Sequence, residues 1–216
     1  MSVLVPEVRY VDNRDEFIQS YVKEKVVCHI GAADAPYAEK KFNNGDLLHP
    51  KLDKAKRLIA VDLDEESNIF FRSKGYEAYN SLEQMGDVKL DLIVATEIVE
   101  HVYNLVDFLS DLRKVCSEHT ELLITTPNPF SIKRTIEAFS GYERYHPDHL
   151  SYISYTNLLK AFSESNFEAI DFMGTCLPKQ NNSKKNLFGQ FMSKRRPLLS
   201  ETIMVIGKPI GEDYVD

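Results

Sequence analysis

The sequence predicts an α/β fold in which a mainly parallel sheet is covered by helices on both faces. Short apolar runs recur along the chain, and most of them are followed by a segment with helical periodicity. The final two runs have no clear helix between them, so we expect them to pair antiparallel. A length of 216 residues fits one domain over residues 1–216, with a short N-terminal helix and a basic insertion at about residues 174–200.

The strands are predicted from apolar runs that are bounded by turn or polar residues. Gly31 ends the first run, and Asp62 ends the second. The seven predicted strands span residues 25–31, 57–62, 76–79, 90–96, 121–126, 167–173 and 201–206. The last of them is expected to be the antiparallel one.

The helices are predicted from apolar residues that recur at helical spacing. The clearest one places Leu105, Leu109 and Leu112 on one face, with Asn104 as its predicted N-cap. The predicted helices span residues 15–22, 32–42, 65–74, 104–118, 131–139 and 156–164, with a further short helix at 186–193.

Composition and charge exclude several classes of protein. No apolar stretch approaches the roughly 20 residues that span a bilayer, and the opening residues lack the basic start and apolar core of a secretory signal. The net charge of -7, from 26 basic and 33 acidic residues, argues against broad nucleic-acid binding. Cys28, Cys116 and Cys176 are widely spaced, which fits a reducing compartment. We therefore expect a cytoplasmic protein without a transmembrane segment.

Small or polar residues follow three of the predicted strands. The carboxyl ends of parallel strands meet at one edge of a sheet, where ligands of such folds bind. A turn of small residues lets a ligand approach the backbone, and an acid at a strand end can accept hydrogen bonds from a ribose. A tight turn or a helix cap would explain each feature singly, but their order favours a nucleotide-like ligand. The residues are Gly31, Ala32, Ala33 and Asp34, then Asp62, then Thr96 and Glu97.

In these stretches the sequence resembles class I S-adenosylmethionine (SAM)-dependent methyltransferases, over roughly residues 26–206. It is most similar to the group that includes ubiquinone-biosynthesis O-methyltransferases and methyltransferases of bacterial glycan and small-molecule pathways. The resemblance implies a Rossmann-like seven-stranded sheet and SAM as the cofactor. The stretches that carry it are residues 27–34 (VCHIGAAD), 59–64 (IAVDLD), 91–102 (DLIVATEIVEHV), 122–129 (LLITTPNP) and 146–150 (HPDHL).

The resemblance also implies roles for the matching residues. Asp62 would hold the ribose hydroxyls of SAM, and Leu63 would lie against the adenine. Thr96 and Glu97 would line the cofactor and the entrance to the acceptor site. The methionine part of SAM would be cradled by the turn made of Gly31, Ala32, Ala33 and Asp34.

Three positions depart from the family pattern. The family usually has glycines where this chain has Ala33 and Ala35, and an acid where it has His29. A methyl group fits if φ is negative and clashes if φ is positive, so the backbone decides whether the SAM site keeps its shape. The spacing from Gly31 to Asp62 is long and indicates an insertion around residues 43–52.

Methyl transfer to a hydroxyl group is helped by a base, because the acceptor loses a proton. His101, His146 and His149 are the candidates, since imidazole titrates near neutral pH. Each of them could instead serve only to hold a loop or helix at a strand end.

We expect an O-methyltransferase that acts on a small molecule or on a glycan or lipid precursor. An anionic acceptor is one option, because residues 172–200 contain six basic residues and no acidic one; we expect residues 179–196 to lie near the acceptor entrance.

Three alternatives stay open. Small-RNA 2′-O-methyltransferases carry a similar E-x-x-E-H motif and bind a divalent metal with it; Glu97, Glu100 and His101 match that motif here. The acidic balance disfavours RNA, and we assign no metal ligand from the sequence. The chain could also keep the fold as a non-catalytic binding subunit. A nicotinamide dehydrogenase is disfavoured, because only Gly31 fits the expected G-x-G-x-x-G pattern.

Overall fold

The computed structural model describes residues 7–144, 146–176 and 184–211. The described strands are β1 Arg9–Val11, β2 Val26–Ile30, β3 Arg57–Val61, β4 Glu77–Tyr79, β5 Leu92–Thr96, β6 Glu121–Pro127, β7 Phe167–Thr175 and β8 Thr202–Pro209. They form one sheet in the order β1-β7-β8-β6-β5-β2-β3-β4. β8 is antiparallel to both of its neighbours and the other pairs are parallel, which confirms the predicted fold class.

The eighth strand, β1, was not predicted. It has three residues and too little sequence to show a period of two, and it joins the sheet edge by pairing parallel with β7. Arg9 supports this pairing through a bidentate ion pair with Asp171 of β7, with a shortest N–O distance of 2.6 Å.

Most helices agree with the predicted positions; the short helix at Leu82–Met85 was not predicted, and the helix predicted over residues 104–118 ends at Arg113. The predicted helix over residues 32–42 begins only at Ala38; Asp34 has φ of +52° and Pro36 lacks a backbone N–H, so the preceding residues form a turn instead. None of the described helices is long and apolar enough to cross a lipid bilayer. The helices are α1 Arg14–Tyr21, α2 Ala38–Asn43, α3 Glu65–Ser73, α4 Leu82–Met85, α5 Leu105–Arg113, α6 Ile132–Phe139, α7 Tyr155–Glu164 and α8 Lys184–Arg195, with short 3₁₀ turns at His49–Lys51, Val99–His101 and Pro197–Leu199.

Apolar side chains cover both faces of the sheet. On one face, Ile18 and Val22 of the α1 region pack against Val27 and Leu92. On the other face, the buried residues of α5 and α7 pack against alternate residues of the same strands. Because both faces are covered, the edges where the strands end are the places left for a ligand.

The N-terminal helix begins at the carboxyl edge of the sheet, because β1 runs parallel to β7 and ends at that edge. The Asn13 side chain caps the helix by accepting hydrogen bonds from the backbone N–H groups of Asp15 (3.1 Å) and Glu16 (3.3 Å). This cap fixes the first turn of α1, which carries Arg14, beside the ends of β5 and β6.

Candidate functional site

A cleft of about 660 Å³ opens at the carboxyl edge of the sheet. It lies where β2, β3 and β5 end, and it is closed from the sides by the start of α1 and by residues 146–149. Two of the predicted site residues, Ala33 and Leu63, do not line it. The other predicted residues all do: Gly31, Ala32, Asp34, Asp62, Thr96, Glu97, His101, His146 and His149.

Gly31 is required by the backbone at the end of β2. Its φ is +67°, and a Cβ atom built on it would lie 2.9 Å from Cδ1 of Ile98. A side chain here would therefore strain the turn and push against the residue that follows Glu97. The sequence-based choice of Gly31 as the turn residue has this physical basis.

The two alanines that replace family glycines fit the turn. Neither Ala33 nor Ala35 has a positive φ; the left-handed conformation falls on Asp34, at +52°, a residue type that tolerates it. The Ala33 side chain is buried, and its backbone N–H donates to Oδ2 of Asp62 at 3.0 Å. Ala33 thus supports the site through its backbone.

Asp62 joins the ends of β2 and β3. Besides the bond from Ala33, its Oδ1 accepts a hydrogen bond from the backbone N–H of Asp64 at 3.1 Å. A carboxylate has about four acceptor positions, so this fixed side chain can accept further hydrogen bonds from a ligand in the cleft. Leu63 instead is 91% exposed, and its predicted contact with adenine stays a prediction.

Glu97 is held in a strained backbone conformation at the end of β5. Its φ is +51°, and its backbone N–H donates to the carbonyl of Thr125 at 2.9 Å. Its Oε1 accepts a hydrogen bond from the Thr125 hydroxyl at 2.8 Å and lies 3.3 Å from Nη1 of Arg14. Desolvation raises the pKa of the Glu97 carboxyl, and Arg14 opposes this rise.

Glu100 is a second, deeper carboxyl group. It is only 2% exposed, and its Oε2 accepts a hydrogen bond from the Thr126 hydroxyl at 3.0 Å. Desolvation, and then the charge of Glu97, raise the pKa of Glu100 to about 8. Its backbone carbonyl accepts a hydrogen bond from the N–H of Leu150 at 2.8 Å, which ties the histidine loop to this strand end.

The three predicted bases form one cluster at the cleft. The ring centroid of His149 lies 4.8 Å from that of His101 and 4.9 Å from that of His146. Nδ1 of His101 is 2.9 Å from the carbonyl of Asp148; because a carbonyl only accepts, His101 carries a proton on Nδ1. Burial, followed by the charges of His101 and His146, lowers the pKa of His149.

A second cavity, of about 320 Å³, adjoins the cleft and shares Glu97, Pro127 and His146 with it. Its lining also includes the cationic residues Lys133, Arg134 and Arg144, together with Glu137 and Glu201. Of the three histidines, only His146 lines both the cleft and this smaller cavity, and His101 and His149 line the cleft.

Ligand-capable atoms of Glu100, His101 and His149 all lie within 4.8 Å of one another. This spacing is compatible with one divalent cation. Glu97, the other acid of the E-x-x-E-H motif, is engaged by Thr125 and Arg14.

The basic segment is described only in part. The predicted helix at residues 186–193 is confirmed within α8, whereas residues 177–183 lie outside the described residues. Nζ of Lys194 is 2.5 Å from Oδ1 of Asp12, and Arg195 lies over the ring of Phe191. Neither basic residue lines the two cavities, so their contact with an acceptor stays a prediction.

The sequence analysis missed the role of Arg14 and singled out His29 only as a departure from a family pattern. Arg14 reaches the cleft through the unpredicted strand β1, so no local signal marked it. His29 lies in β2 and lines the cleft, and its Nε2 is 3.4 Å from Oγ1 of Thr96. Its interruption of an apolar run was the signal that could have found it.

Solved structures share this fold at low sequence identity. A SAM-dependent methyltransferase from Archaeoglobus fulgidus is 18% identical, with 90% of this chain and 94% of that chain covered and a TM-score of 0.56. A SAM-dependent methyltransferase from Aquifex aeolicus is 14% identical, with 92% and 90% covered and a TM-score of 0.58. A chain of the complex between the Haloferax volcanii Trm112 methyltransferase activator and a methyltransferase is 9% identical, with 91% and 88% covered and a TM-score of 0.60.

The comparison with curated proteins gives no match. The family described as "Methyltransferase domain" matches residues 13–171, which is more than half of the chain. This range includes α1 with Arg14, the turn after β2, Asp62 and the histidine cluster. The chain therefore belongs to the methyltransferase domain family.

Proposed function

We propose that this protein is a SAM-dependent methyltransferase that transfers a methyl group to a hydroxyl group of a small molecule or of a glycan or lipid precursor. The observation that carries the proposal is the cleft itself. It brings the Gly31 turn and Asp62, which suit SAM, together with three histidines, of which His146 also lines the second cavity. We propose that the whole chain acts as one catalytic domain.

The residues of the cleft fit the parts of SAM. The turn at Gly31 leaves room for close approach to the backbone, and Asp62 offers acceptor positions for the ribose hydroxyls. Among the described residues, Arg14 is one of two cations that line the cleft, with Lys41, and its guanidinium can pair with the carboxylate of the methionine part. When bound, SAM supplies a methyl group on a positively charged sulfur.

We propose that the acceptor occupies the cavity of Lys133 and Arg144 and extends past His146 into the cleft, where its hydroxyl group faces His149. Since the pKa of His149 is lowered, its imidazole is neutral at pH 7 and can take the proton of the acceptor. His146 is exposed beside it, and His101 is oriented by the carbonyl of Asp148. Lys133, Arg134 and Arg144 lie in this cavity among three acids, and each can pair with a phosphate or carboxylate of the acceptor.

Calorimetry with the demethylated product, S-adenosylhomocysteine, tests the cofactor assignment. The wild-type protein should bind it, and Asp62→Ala should bind more weakly, because the ribose loses its acceptor. Leu63→Ala tests the adenine contact separately. A wild-type protein that binds neither SAM nor its product would contradict the proposal.

A screen of hydroxyl-bearing acceptors with labelled SAM tests the transfer step. With an acceptor in hand, His149→Ala should lower kcat while leaving the affinity for S-adenosylhomocysteine unchanged. Binding without transfer to any acceptor would favour the alternative of a non-catalytic binding subunit.

Metal-assisted transfer, including transfer to an RNA 2′-hydroxyl, is the second candidate. The proximity of Glu100, His101 and His149 favours it. Labelled-SAM assays on short single-stranded RNA and on the small-molecule acceptor, with and without a chelator and added Mn²⁺, separate the two candidates. Loss of transfer in chelator and its rescue by Mn²⁺ would support the metal-assisted reaction.

We also propose a cytoplasmic location. All three cysteines are buried free thiols, as expected of a protein in a reducing compartment. Fractionation of the source cells tests this.

A further inference from the structure

Two buried histidines meet behind the wall of the cleft. His29 of β2 is 2% exposed and His49 of the 3₁₀ turn is fully buried, and their Nδ1 atoms lie 3.2 Å apart. The ring of His49 is packed against Phe71 and Tyr76, with centroid distances of 5.2 Å to each. His49 comes from the inserted segment around residues 43–52, and so the insertion supplies one half of the pair.

The contact between the two Nδ1 atoms requires a single proton. Two N–H groups facing each other would repel, and two lone pairs would leave both nitrogens unsatisfied. Burial keeps the rings neutral: the pKa of His29 falls to about 4, and that of His49 falls well below its ordinary value. One ring therefore donates from Nδ1, and the other accepts there.

The other ring nitrogen of His49, Nε2, decides which of the two Nδ1 atoms donates the hydrogen bond. Its Nε2 is buried and has no hydrogen-bond partner among the described residues. If His49 accepted at Nδ1, its proton would sit on Nε2 as a buried, unpaired N–H. If His49 donates from Nδ1, Nε2 is only an unpaired acceptor, and proteins tolerate unpaired acceptors better than unpaired N–H groups.

A hydrogen bond donated by His49 to His29 also fixes the protonation of the other ring nitrogen of His29, Nε2. With its Nδ1 accepting, His29 carries its proton on Nε2, which lies 3.4 Å from the hydroxyl oxygen of Thr96. His29 then donates to Thr96, and the proton of the Thr96 hydroxyl is left for another acceptor. Thr96 and His29 both line the cleft.

We propose that His49 and His29 are positioning residues for Thr96. His49 donates a hydrogen bond to His29, and His29 donates one to the Thr96 hydroxyl oxygen. The Thr96 hydroxyl is thereby left to donate its own proton to the carboxylate of the methionine part of SAM. The carboxylate contact rests on the proposed function, whereas the direction of the hydrogen bonds does not. A chain with an acid in place of His29 would lack this donor, so the arrangement is particular to the residues found here.

Nitrogen NMR of the ligand-free protein at pH 7 tests the direction. Long-range proton–nitrogen spectra should show His49 protonated only at Nδ1 and His29 only at Nε2. A coupling across the hydrogen bond should connect the two Nδ1 nuclei. Protonation of His29 at Nδ1, or a charged ring in either residue, would overturn the proposal without bearing on SAM binding.

Calorimetry tests the contact with the carboxylate. Thr96→Val should weaken binding of S-adenosylhomocysteine by about 10-fold, as expected for one hydrogen bond to a charged group. His29→Phe should weaken it by a smaller factor, and the double variant should match Thr96→Val, because His29 acts only through Thr96. His119→Phe, a change at an exposed histidine, is the matched control and should leave binding unchanged.

A ligand without the carboxylate completes the test. Binding of 5′-methylthioadenosine, which lacks the amino-acid part, should be the same in wild type and in Thr96→Val. An equal loss for both ligands, or additive losses in the double variant, would overturn the contact. If the wild type binds 5′-methylthioadenosine but not S-adenosylhomocysteine, the carboxylate contact fails; if it binds neither, the proposed function fails with it.

Discussion

Gly31 combines two constraints at one position, a positive φ and close contact with Ile98. We expect Gly31→Ala to lower the free energy of unfolding by about 2 kcal/mol, because it adds strain and a steric contact. Binding of S-adenosylhomocysteine should weaken as well. Chemical denaturation and calorimetry measure the two effects.

Gly75→Ala is the matched control for this prediction. Gly75 also has a positive φ, +86°, but nothing lies within 4 Å of the position of its Cβ. It should therefore show only the backbone cost, about 1 kcal/mol, with unchanged ligand binding. Equal effects of the two substitutions on ligand binding would show that the Gly31 turn does not contact the ligand.

The raised pKa of Glu100 predicts that the free energy of unfolding depends on pH. Its pKa of about 8 in the folded state exceeds the ordinary value of 4.5, so the folded protein holds a proton that the unfolded chain releases between these values. The contribution of this group is complete below about pH 4.5 and is lost as the pH rises through 8. The loss amounts to a few kcal/mol, about 1.4 kcal/mol per pKa unit.

Glu100→Gln should remove this dependence, because its amide is neutral at every pH. Urea denaturation from pH 5 to 9 should show that the free energy of unfolding falls less steeply for the variant, which should become more stable than the wild type at pH 9. Parallel pH profiles for the two proteins would contradict the raised pKa. Glu164→Gln, a change at an exposed acid on α7, is the control.

At the scale of elements, two helices carry the same cap. The side-chain Oδ1 of Asn13 and that of Asn104 each accept hydrogen bonds from two backbone N–H groups, at 3.0–3.3 Å, at the start of α1 and of α5. Only α1 brings its first turn to the cleft, through Arg14. Substitutions of Asn13 and Asn104 can therefore distinguish a loss of helix stability from a loss of ligand binding.

We expect Asn13→Ala and Asn104→Ala each to cost about 1 kcal/mol of unfolding free energy, as is usual for a lost N-cap. Only Asn13→Ala should also weaken binding of S-adenosylhomocysteine, because fraying of the first turn displaces Arg14. Denaturation and calorimetry on both variants give the comparison. An equal effect of the two variants on binding would show that Arg14 does not hold the ligand.

At the scale of the whole molecule, ligand binding should raise the stability of the folded chain. At a concentration 100 times its Kd, S-adenosylhomocysteine should add about 2.7 kcal/mol and raise Tm by several degrees. The cleft is formed by segments far apart in sequence, from Arg14 to His149, so unfolding of the domain abolishes it. Asp62→Ala should lose most of this shift in a thermal denaturation experiment. A full shift in that variant would show that Asp62 does not contact the ligand.

The sequence predicted most elements, because their patterns are local. The apolar runs of β2, β3, β5 and β6 and the periodic face of α5 follow from neighbours in the chain, and so does the Asn104 cap. β1 escaped prediction, since three residues carry no period and its partner β7 is more than 150 residues away. The turn before α2 was wrongly predicted as helix, because the residue types do not reveal that Asp34 has a positive φ.

The candidate site was predicted as a set of strand ends but not as a set of contacts. Parallel strands must bring their carboxyl ends to one edge, so Gly31, Asp62 and Glu97 were expected to meet there, and they line one cleft. The placement of Arg14 beside Glu97, and of His49 beside His29, depends on how distant segments pack.

The sequence by itself determined most of the order of elements, the mainly parallel sheet and the sheet edge at which the candidate site residues meet, because these depend on periodicity and on residue types at strand ends. Only the tertiary structure decided the conformations at Ala33 and Ala35, the grouping of the three histidines and the burial of Glu100. Backbone angles, side-chain distances and desolvation arise from contacts between segments that are remote in the chain. No local pattern of residues encodes them.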